Sequence, residues 1–245
     1  MGYFVKVDNN TTKHYEAVSE TAFKNFLQFC KHLQFQKVVK LGKDVARETY
    51  YDTQAHLLNK SGIVLSKFQE GTNCFFKVEN ASFMSKVLTR LQKQVFVHQV
   101  GASDKLSDHA FYIKDGITSL FSTAFSIDLE NVINSATPKM EVEINADIYQ
   151  LTSGTGMRAK LALENKVIRN FETKRKYSVQ SLTVKLESSN TQIFLDDFER
   201  FNILIEKNCK ELLPVNDNQF DFATKVTKPI VQTPKEKKEK KTVKK

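Results

Sequence analysis

The sequence predicts an α+β fold, in which antiparallel strands form a sheet and helices pack outside it. Residues 139–150 alternate strictly between apolar and polar side chains, and residues 157–164 repeat this alternation, which is typical of paired strands. Residues 19–33 and 194–212 instead place apolar side chains three and four positions apart, as an amphipathic helix does. With 245 residues, 40% of them hydrophobic, the chain is long enough to bury one sizeable core.

The first elements follow from short-range patterns. Residues 3–18 predict a hairpin, because YFVKVD and TKHYEAV flank Asn9 and Asn10, which tolerate turn geometry. Ser19 is expected to cap a helix, in which the apolar face is Phe23, Phe26, Leu27, Cys30 and Leu33. Strands are then expected at residues 37–41, 47–51, 63–68 and 74–78.

The pattern between residues 81 and 136 is helical. One segment contains Phe83, Val87, Leu88 and Leu91, and another contains Ile117, Leu120, Phe121 and Phe125. Residues 126–132 are expected to connect these helices to a second group of strands, before which Pro138 interrupts the chain.

The alternating pair supplies the next two strands. Met140, Val142 and Ile144 lie on one side of the first strand, and Glu141 and Glu143 on the other. A turn centred on Ser153 and Gly154 would place Asp147 opposite Lys160 and Tyr149 opposite Arg158. A strand at residues 177–186 and a last helix follow, and Pro214 is expected to end that helix.

The net charge of +9 is concentrated at one end of the chain. Residues 225–245 hold nine Lys and two Glu, whereas residues 1–224 hold 28 Lys and Arg against 26 Asp and Glu. The segment 216–245 is therefore expected to be a disordered, lysine-rich tail. The chain has no run of 18 apolar residues and no transmembrane segment is expected, while three scattered cysteines indicate reduced thiols and a cytoplasmic location.

Several common catalytic motifs are missing from the sequence. There is no P-loop, GxSxG or HExxH string, and the five histidines are dispersed. Residues 154–159, GTGMRA, match a dinucleotide-binding string, but they open an alternating strand rather than the helix that such a site requires.

The stretch RETYYDTQAHLLNKSGIVLSKFQEGTNCFFKVE, residues 47–79, carries a family resemblance. Its order of Tyr51-Asp52-Thr53, Leu57, Gly62, Leu65 and Lys77 resembles the CYTH family, or triphosphate tunnel metalloenzymes, whose local pattern is YYDTxxxxLxxxGxxLRxR followed by a strand ending in Lys. The resemblance implies a tunnel-like antiparallel β-barrel, or a strongly curved sheet, of about eight strands. Residues 1–215 would form this domain.

The resemblance also implies a site. In active members of the family, inward Arg and Lys side chains hold a triphosphate, and Glu side chains hold a divalent metal, here Mg²⁺ or Mn²⁺. Carried onto this chain, the ligand-binding residues would be Lys77, Arg158 and Lys160. Among the candidate metal ligands, Glu164 lies where the family has a carboxylate after an apolar run, and Glu141 and Glu143 could form a metal site at another position.

This chain departs from the family pattern at several of these positions. Ser66 and Phe68 replace the two arginines of LRxR, the opening ExExK strand is reduced to Glu16, and a later ExE pair reads Ser181 and Thr183. We therefore expect a degenerate domain that binds a phosphorylated small molecule such as polyphosphate or a nucleotide, or a protein partner, without efficient hydrolysis. The alternatives are an active metal-dependent triphosphatase with relocated carboxylates, and binding of nucleic acid or an anionic surface through the tail.

Overall fold

The computed structural model describes residues 2–7, 11–33, 37–80, 93–121, 127–188, 191–215 and 224, except for the side chains of residues 5–7 and 93–94. The predicted helical segment around Phe83 to Leu91 lies outside the described residues, as does all of the predicted disordered tail except residue 224.

The described part of the chain is an α+β fold with one large antiparallel sheet. The strands are β1 (Gly2–Val7), β2 (Thr12–Ala17), β3 (Lys37–Asp52), β4 (Ile63–Glu70), β5 (Asn73–Asn80), β6 (Lys93–Gln99), β7 (Thr137–Thr152), β8 (Arg158–Asn170), β9 (Arg175–Leu186) and β10 (Leu212–Val215). The helices are α1 (Ala22–His32), α2 (Leu57–Lys60), α3 (Ala110–Phe121), α4 (Leu129–Ser135) and α5 (Gln192–Asn208), with a 3₁₀ turn at Ser107–His109.

The strand order is β1-β6-β5-β4-β3-β7-β8-β9-β2-β10, so β1 and β10 are the edges of the described sheet and the sheet is not closed. The long strands β3 and β7 pair along most of their length and form its centre. Because directly paired residues of antiparallel strands point to the same side, the register assigns each side chain to one of two faces.

The outer face is the one on which the described helices pack. Helices α1 and α5 cover it on one half of the sheet, where Phe26 and Phe198 join a core with Leu161 and Leu182. Helices α2, α3 and α4 cover the other half, in a second core that contains Leu58, Ile113, Ile133, Leu65 and Phe76.

The inner face is buried by the curvature of the sheet. Tyr50, Val64, Val142 and Ile168 are buried there in a cluster to which no described helix contributes. Val215 of β10 packs against this cluster, although three strand spacings separate β10 from β8, the nearest strand with a buried member of the cluster. That separation is about 14 Å in a flat sheet, far beyond van der Waals contact, so the sheet is strongly curved.

The Tyr51-Asp52-Thr53 motif forms the turn that leads into α2. The Asp52 carboxylate accepts hydrogen bonds from the backbone N–H groups of Thr53 at 2.7 Å, Leu58 at 2.9 Å and Asn59 at 3.1 Å. The Thr53 hydroxyl accepts another from the N–H of Leu57 at 3.0 Å. These bonds satisfy the free donors at the start of this short helix, which explains the residue types of the motif.

Two predictions about strand pairing are wrong. The predicted hairpin of residues 3–18 does not form, because β1 pairs with β6 and β2 pairs with β9 and β10. The predicted register of β7 and β8 is also wrong: Lys160 is opposite Gln150 and Arg158 is opposite Thr152, because a five-residue loop, 153–157, joins the strands.

Several element boundaries also differ from the predictions. The strands predicted at 37–41 and 47–51 are the single strand β3, and Lys93–Gln99 is a strand within the stretch that was predicted to be helical. The predicted connection at 126–132 contains the start of α4, and Thr21 rather than Ser19 precedes α1. The last helix ends at Asn208, and Pro214 lies in β10 at the edge of the sheet, where its missing N–H is tolerated.

Candidate functional site

The inner face contains a half-buried lysine between two buried carboxylates. Lys77 of β5 forms ion pairs with Glu48 of β3 and with Glu79, whose Oε1 lies 3.2 Å from the Lys77 Nζ. Glu48 also accepts hydrogen bonds from the Ser66 hydroxyl at 2.7 Å and from the Tyr50 hydroxyl at 2.8 Å. The register aligns Lys77, Ser66 and Tyr50 in one row across β5, β4 and β3, which brings these groups together.

These contacts decide the charge states of the cluster. Burial would lower the pKa of the Lys77 ammonium, but Glu48 and Glu79 outweigh burial and raise this pKa above its usual value. Burial would likewise raise the pKa of Glu48, but Lys77 and the two hydroxyl donors lower it below its usual value. Lys77 is therefore a charged group whose charge is fully compensated inside the protein.

The two positions at which the family pattern has arginine both point to the inner face. The Ser66 hydroxyl donates a hydrogen bond to Glu48, and the Phe68 ring stacks on Phe75 with ring centroids 5.1 Å apart. This part of the inner face therefore has a hydrogen bond and an aromatic pair at the two positions where the family pattern has arginine.

A second compensated cluster surrounds Glu164 on the inner face. Its carboxylate lies 2.9 Å from the Lys166 Nζ and accepts hydrogen bonds from Ser181 at 2.8 Å and Thr183 at 3.1 Å. Ser181 and Thr183 stand where the family pattern has an ExE pair. Here they serve as hydrogen-bond donors to Glu164.

The three predicted metal ligands lie on opposite faces of the sheet. Glu141 and Glu143 point to the outer face, where Arg169 Nη1 and Nη2 lie 2.8 and 3.0 Å from their carboxylates. Arg47 lies 3.1 Å from Glu143 on the same face. Glu164 points to the inner face, so the three carboxylates do not converge. Among the described residues, no group of three His, Cys, Asp or Glu side chains could hold a metal ion.

The other predicted ligand-binding residues lie at one end of the inner face. Lys160 and Lys185 are directly opposite each other on β8 and β9, and Arg158 precedes Lys160 by one inward-facing position. Lys37 shares a row with Arg158 through Thr152. We call these four residues the basic rim: Lys37, Arg158, Lys160 and Lys185.

The basic rim has more cations than carboxylate partners. Lys160 pairs with Asp44 at 3.0 Å. No ion pair to Lys37, Arg158 or Lys185 occurs among the described residues, and all three are exposed. Like charges directly opposite on neighbouring strands repel each other, so a bound anion would relieve the repulsion between Lys160 and Lys185.

Lys77 is distant from the basic rim along the strands. The row that contains Lys77 meets β8 at Asn170, whereas Lys160 lies ten residues away on that strand. Ten residues of strand span about 33 Å. The predicted set of Lys77, Arg158 and Lys160 is thus divided between two parts of the inner face.

Sequence reasoning missed Glu48, Lys166, Lys185 and Lys37. Glu48 alternates with Tyr50 in a strand and so shares its face, which was a usable signal. The pairing of Lys185 with Lys160 depends on the register of β8 and β9, which the sequence does not reveal.

No family model matches the chain, and no curated protein is significantly similar to it. The structure is similar to a proposed adenylate cyclase from Bacillus halodurans, with a TM-score of 0.51 and 10% sequence identity over 86% of this chain and 96% of that one. The structure is also similar to a proposed adenylyl cyclase from Hippeastrum with a dominant triphosphatase activity. The TM-score is 0.48, with 10% sequence identity over 90% of this chain and 98% of that one. The first of these two similarities confirms the fold that the CYTH resemblance predicts.

Proposed function

We propose that residues 1–215 form a binding domain that takes a polyanionic, phosphorylated ligand at the basic rim and does not hydrolyse it efficiently. The observation that carries this proposal is the uneven distribution of charge on the inner face. Lys77 is paired with Glu48 and Glu79, and Lys166 with Glu164, whereas Lys160 is the one cation of the basic rim that has a carboxylate partner, Asp44, among the described residues.

Charge compensation explains why the basic rim, and not the cluster around Lys77, is the favoured position for a phosphorylated ligand on the inner face. A triphosphate carries about four negative charges, which must be neutralised by cations that are not already paired. Lys77 would have to leave both Glu48 and Glu79 to bind phosphate, and both buried carboxylates would then lose the cation that compensates their charge. Arg158 and Lys185 are exposed and Lys160 is half-buried, and these three cations need lose only the half-buried contact between Lys160 and Asp44.

The distribution of carboxylates supports the absence of hydrolysis. Triphosphatase chemistry of the tunnel type needs several carboxylates around one metal, so that Mg²⁺ or Mn²⁺ can activate water or steady the leaving phosphate. In this chain Glu141 and Glu143 are paired with arginines on the outer face, and Glu164 is paired with Lys166 and hydrogen-bonded by Ser181 and Thr183 on the inner face. A metal would therefore act here as a counter-ion of the ligand.

Calorimetry with tripolyphosphate tests the binding role. We expect the full-length chain to bind at low salt, and the Lys160→Ala/Lys185→Ala variant to bind at least tenfold more weakly, since each charge-assisted contact is worth about 1.5–3 kcal/mol. Lys207→Ala, an exposed lysine on α5, is the matched control and should bind as the parent does. Equal affinity of the double variant and the parent would contradict the assignment and favour a protein-binding role.

Phosphate release tests the catalytic part. With Mg²⁺ or Mn²⁺ we expect little release from tripolyphosphate or nucleoside triphosphates. Turnover of about 1 per second or faster lies in the ordinary enzyme range and would support the alternative triphosphatase, above all if Glu141→Gln or Glu143→Gln abolished it.

The thiols and the helices are relevant to location. Cys30, Cys74 and Cys209 are buried and free of disulfides, which supports a reducing, cytoplasm-like compartment. No described helix is both long and apolar enough to cross a membrane.

A further inference from the structure

A small cavity lies beside α5, which packs on the outer face, whereas the basic rim is on the inner face. It is lined by the loop that joins β7 to β8 and by the middle of α5, and it has a volume of about 320 Å³. That volume is at the lower end of the range for small-molecule sites. The loop lines one wall with Ser153, Gly154 and Thr155, and α5 lines the other with Asp197, Arg200, Phe201 and Leu204.

The loop wall is held in place before any ligand binds. The Ser153 N–H donates to the Met157 carbonyl at 2.9 Å, and the Met157 N–H donates to the Ser153 hydroxyl oxygen at 3.2 Å. The Ser153 hydroxyl in turn donates to Asp197 Oδ2 at 3.0 Å, and the Thr155 hydroxyl donates to the same oxygen. Loop and helix are therefore tied together through one carboxylate oxygen.

The same bonds leave two opposite charges unpaired beside the cavity. Asp197 uses Oδ2 for both hydroxyls, and its Oδ1 has no hydrogen-bond partner among the described residues. Arg200 lies three residues later on the same helix, where the two side chains could pair, yet its guanidinium forms no ion pair within the described part of the chain. The carboxylate faces the loop, so the guanidinium remains available.

The remaining surface of the cavity is apolar. Phe201 is buried and Leu204 half-buried, and both side chains line it. A few convergent polar groups above an apolar floor are typical of small-molecule sites. The polar groups here are one acceptor for a cation and one donor for an anion, about one helical turn apart.

We infer that this cavity binds a small zwitterion with an apolar body, of the class of the apolar α-amino acids. Arg200 holds the carboxylate, Asp197 Oδ1 accepts from the ammonium group, and the apolar side chain contacts Phe201 and Leu204. A ligand with only one of the two charges leaves the other protein group unsatisfied, so the site discriminates by charge pattern.

NMR titration of the full-length protein with ligands that differ by one charge tests this inference, because it measures the affinity for each ligand. We expect L-leucine to bind, and leucinamide and N-acetyl-leucine to bind about tenfold more weakly or worse, since each lacks one charge-assisted hydrogen bond. Arg200→Gln should weaken leucine without affecting leucinamide. Asp197→Asn, which keeps an acceptor for the two hydroxyls, should weaken leucine without affecting N-acetyl-leucine.

The controls separate this site from the basic rim and from misfolding. Lys207→Gln, an exposed change on the same helix, should leave leucine binding unchanged, and unchanged thermal unfolding should show that Arg200→Gln is folded. Tripolyphosphate binding should not respond to Arg200→Gln. The inference is overturned if leucine does not bind at about 10 mM, if leucinamide binds as tightly as leucine, or if Arg200→Gln abolishes tripolyphosphate binding.

Discussion

Replacing Lys77 with methionine would remove the cation that compensates the two buried carboxylates Glu48 and Glu79 on the inner face. Glu48 and Glu79 are 2% and 8% exposed, so both carboxylates would lose their ion-pair partner without gaining water. Breaking a buried pair in this way costs about 3–5 kcal/mol. The hydroxyls of Tyr50 and Ser66 still solvate Glu48, which places the expected loss near the lower limit, about 3 kcal/mol, or about 6–12 °C in Tm for a domain of this size.

The loss should depend on pH with a defined sign. In the parent the pKa of Glu48 lies below its ordinary value of 4.5, so its stabilising contribution is complete at neutral pH and is lost as the pH falls through the lowered pKa. Without Lys77, burial dominates and raises the pKa of Glu48, so the folded variant binds a proton more readily than the unfolded chain. The difference in stability between variant and parent should therefore narrow as the pH falls from 7 to about 5.

Urea denaturation of the full-length chain at a series of pH values measures both effects. The double variant Lys77→Met/Glu48→Gln should lose less stability than the sum of the single variants, because it removes both partners of the pair. Lys13→Met is the control: its partner Glu199 lies 3.6 Å away in an exposed pair, which is worth about 0–1 kcal/mol. A loss below about 1 kcal/mol for Lys77→Met, unchanged by pH, would refute the claim that these carboxylates are buried and dependent on the lysine.

Three further outcomes are expected. His98 Nε2 lies 3.0 Å from His109 Nδ1, and burial, followed by the charge of His109, lowers the pKa of His98 below its ordinary value of 6.5. The free energy of unfolding should therefore fall as the pH drops from 7 to about 5, and this loss should be smaller in His98→Gln. Asp52→Ala should destabilise the chain by about 2 kcal/mol in urea denaturation, and Asp52→Asn by less, because Asn keeps one acceptor for the donors of α2; equal losses would contradict the capping role. Truncation after Lys225 should reduce the salt slope of duplex DNA binding, at about −0.9 per phosphate contact, and equal slopes for both chains would assign any such contact to the folded domain.

Much of the local structure could be predicted from the sequence. The alternation in residues 139–150 predicts β7 correctly, and the apolar spacing in residues 19–33 predicts α1, because both patterns reflect contacts between residues close in the chain. The Tyr51-Asp52-Thr53 motif indicated a turn, and the structure shows Asp52 bonded to three N–H groups within the next seven residues. These features depend on short-range hydrogen bonds and periodicity, which the amino-acid order records directly.

The candidate site depended on information that the amino-acid order does not contain. Alternation in β7 assigns Val142 and Glu143 to opposite faces, but it does not say which face the helices cover. Apolar side chains are buried on both faces of this sheet, so burial alone does not tell the two faces apart. The strongly curved sheet encloses Val142 on its inner face, and Glu143 pairs with arginines on the outer face.

By itself, the sequence determined the fold class, the family resemblance, the main local elements and the presence of Ser66 and Phe68 at the two positions where the family pattern has arginine. Only the tertiary structure decided that β1 pairs with β6, that Glu141 and Glu143 lie apart from Glu164, and that Lys160 is opposite Lys185. The physical reason is that strand partners and register come from contacts between distant parts of the chain. A strand records its own two faces in its sequence, but neither its neighbour nor the residue opposite each position.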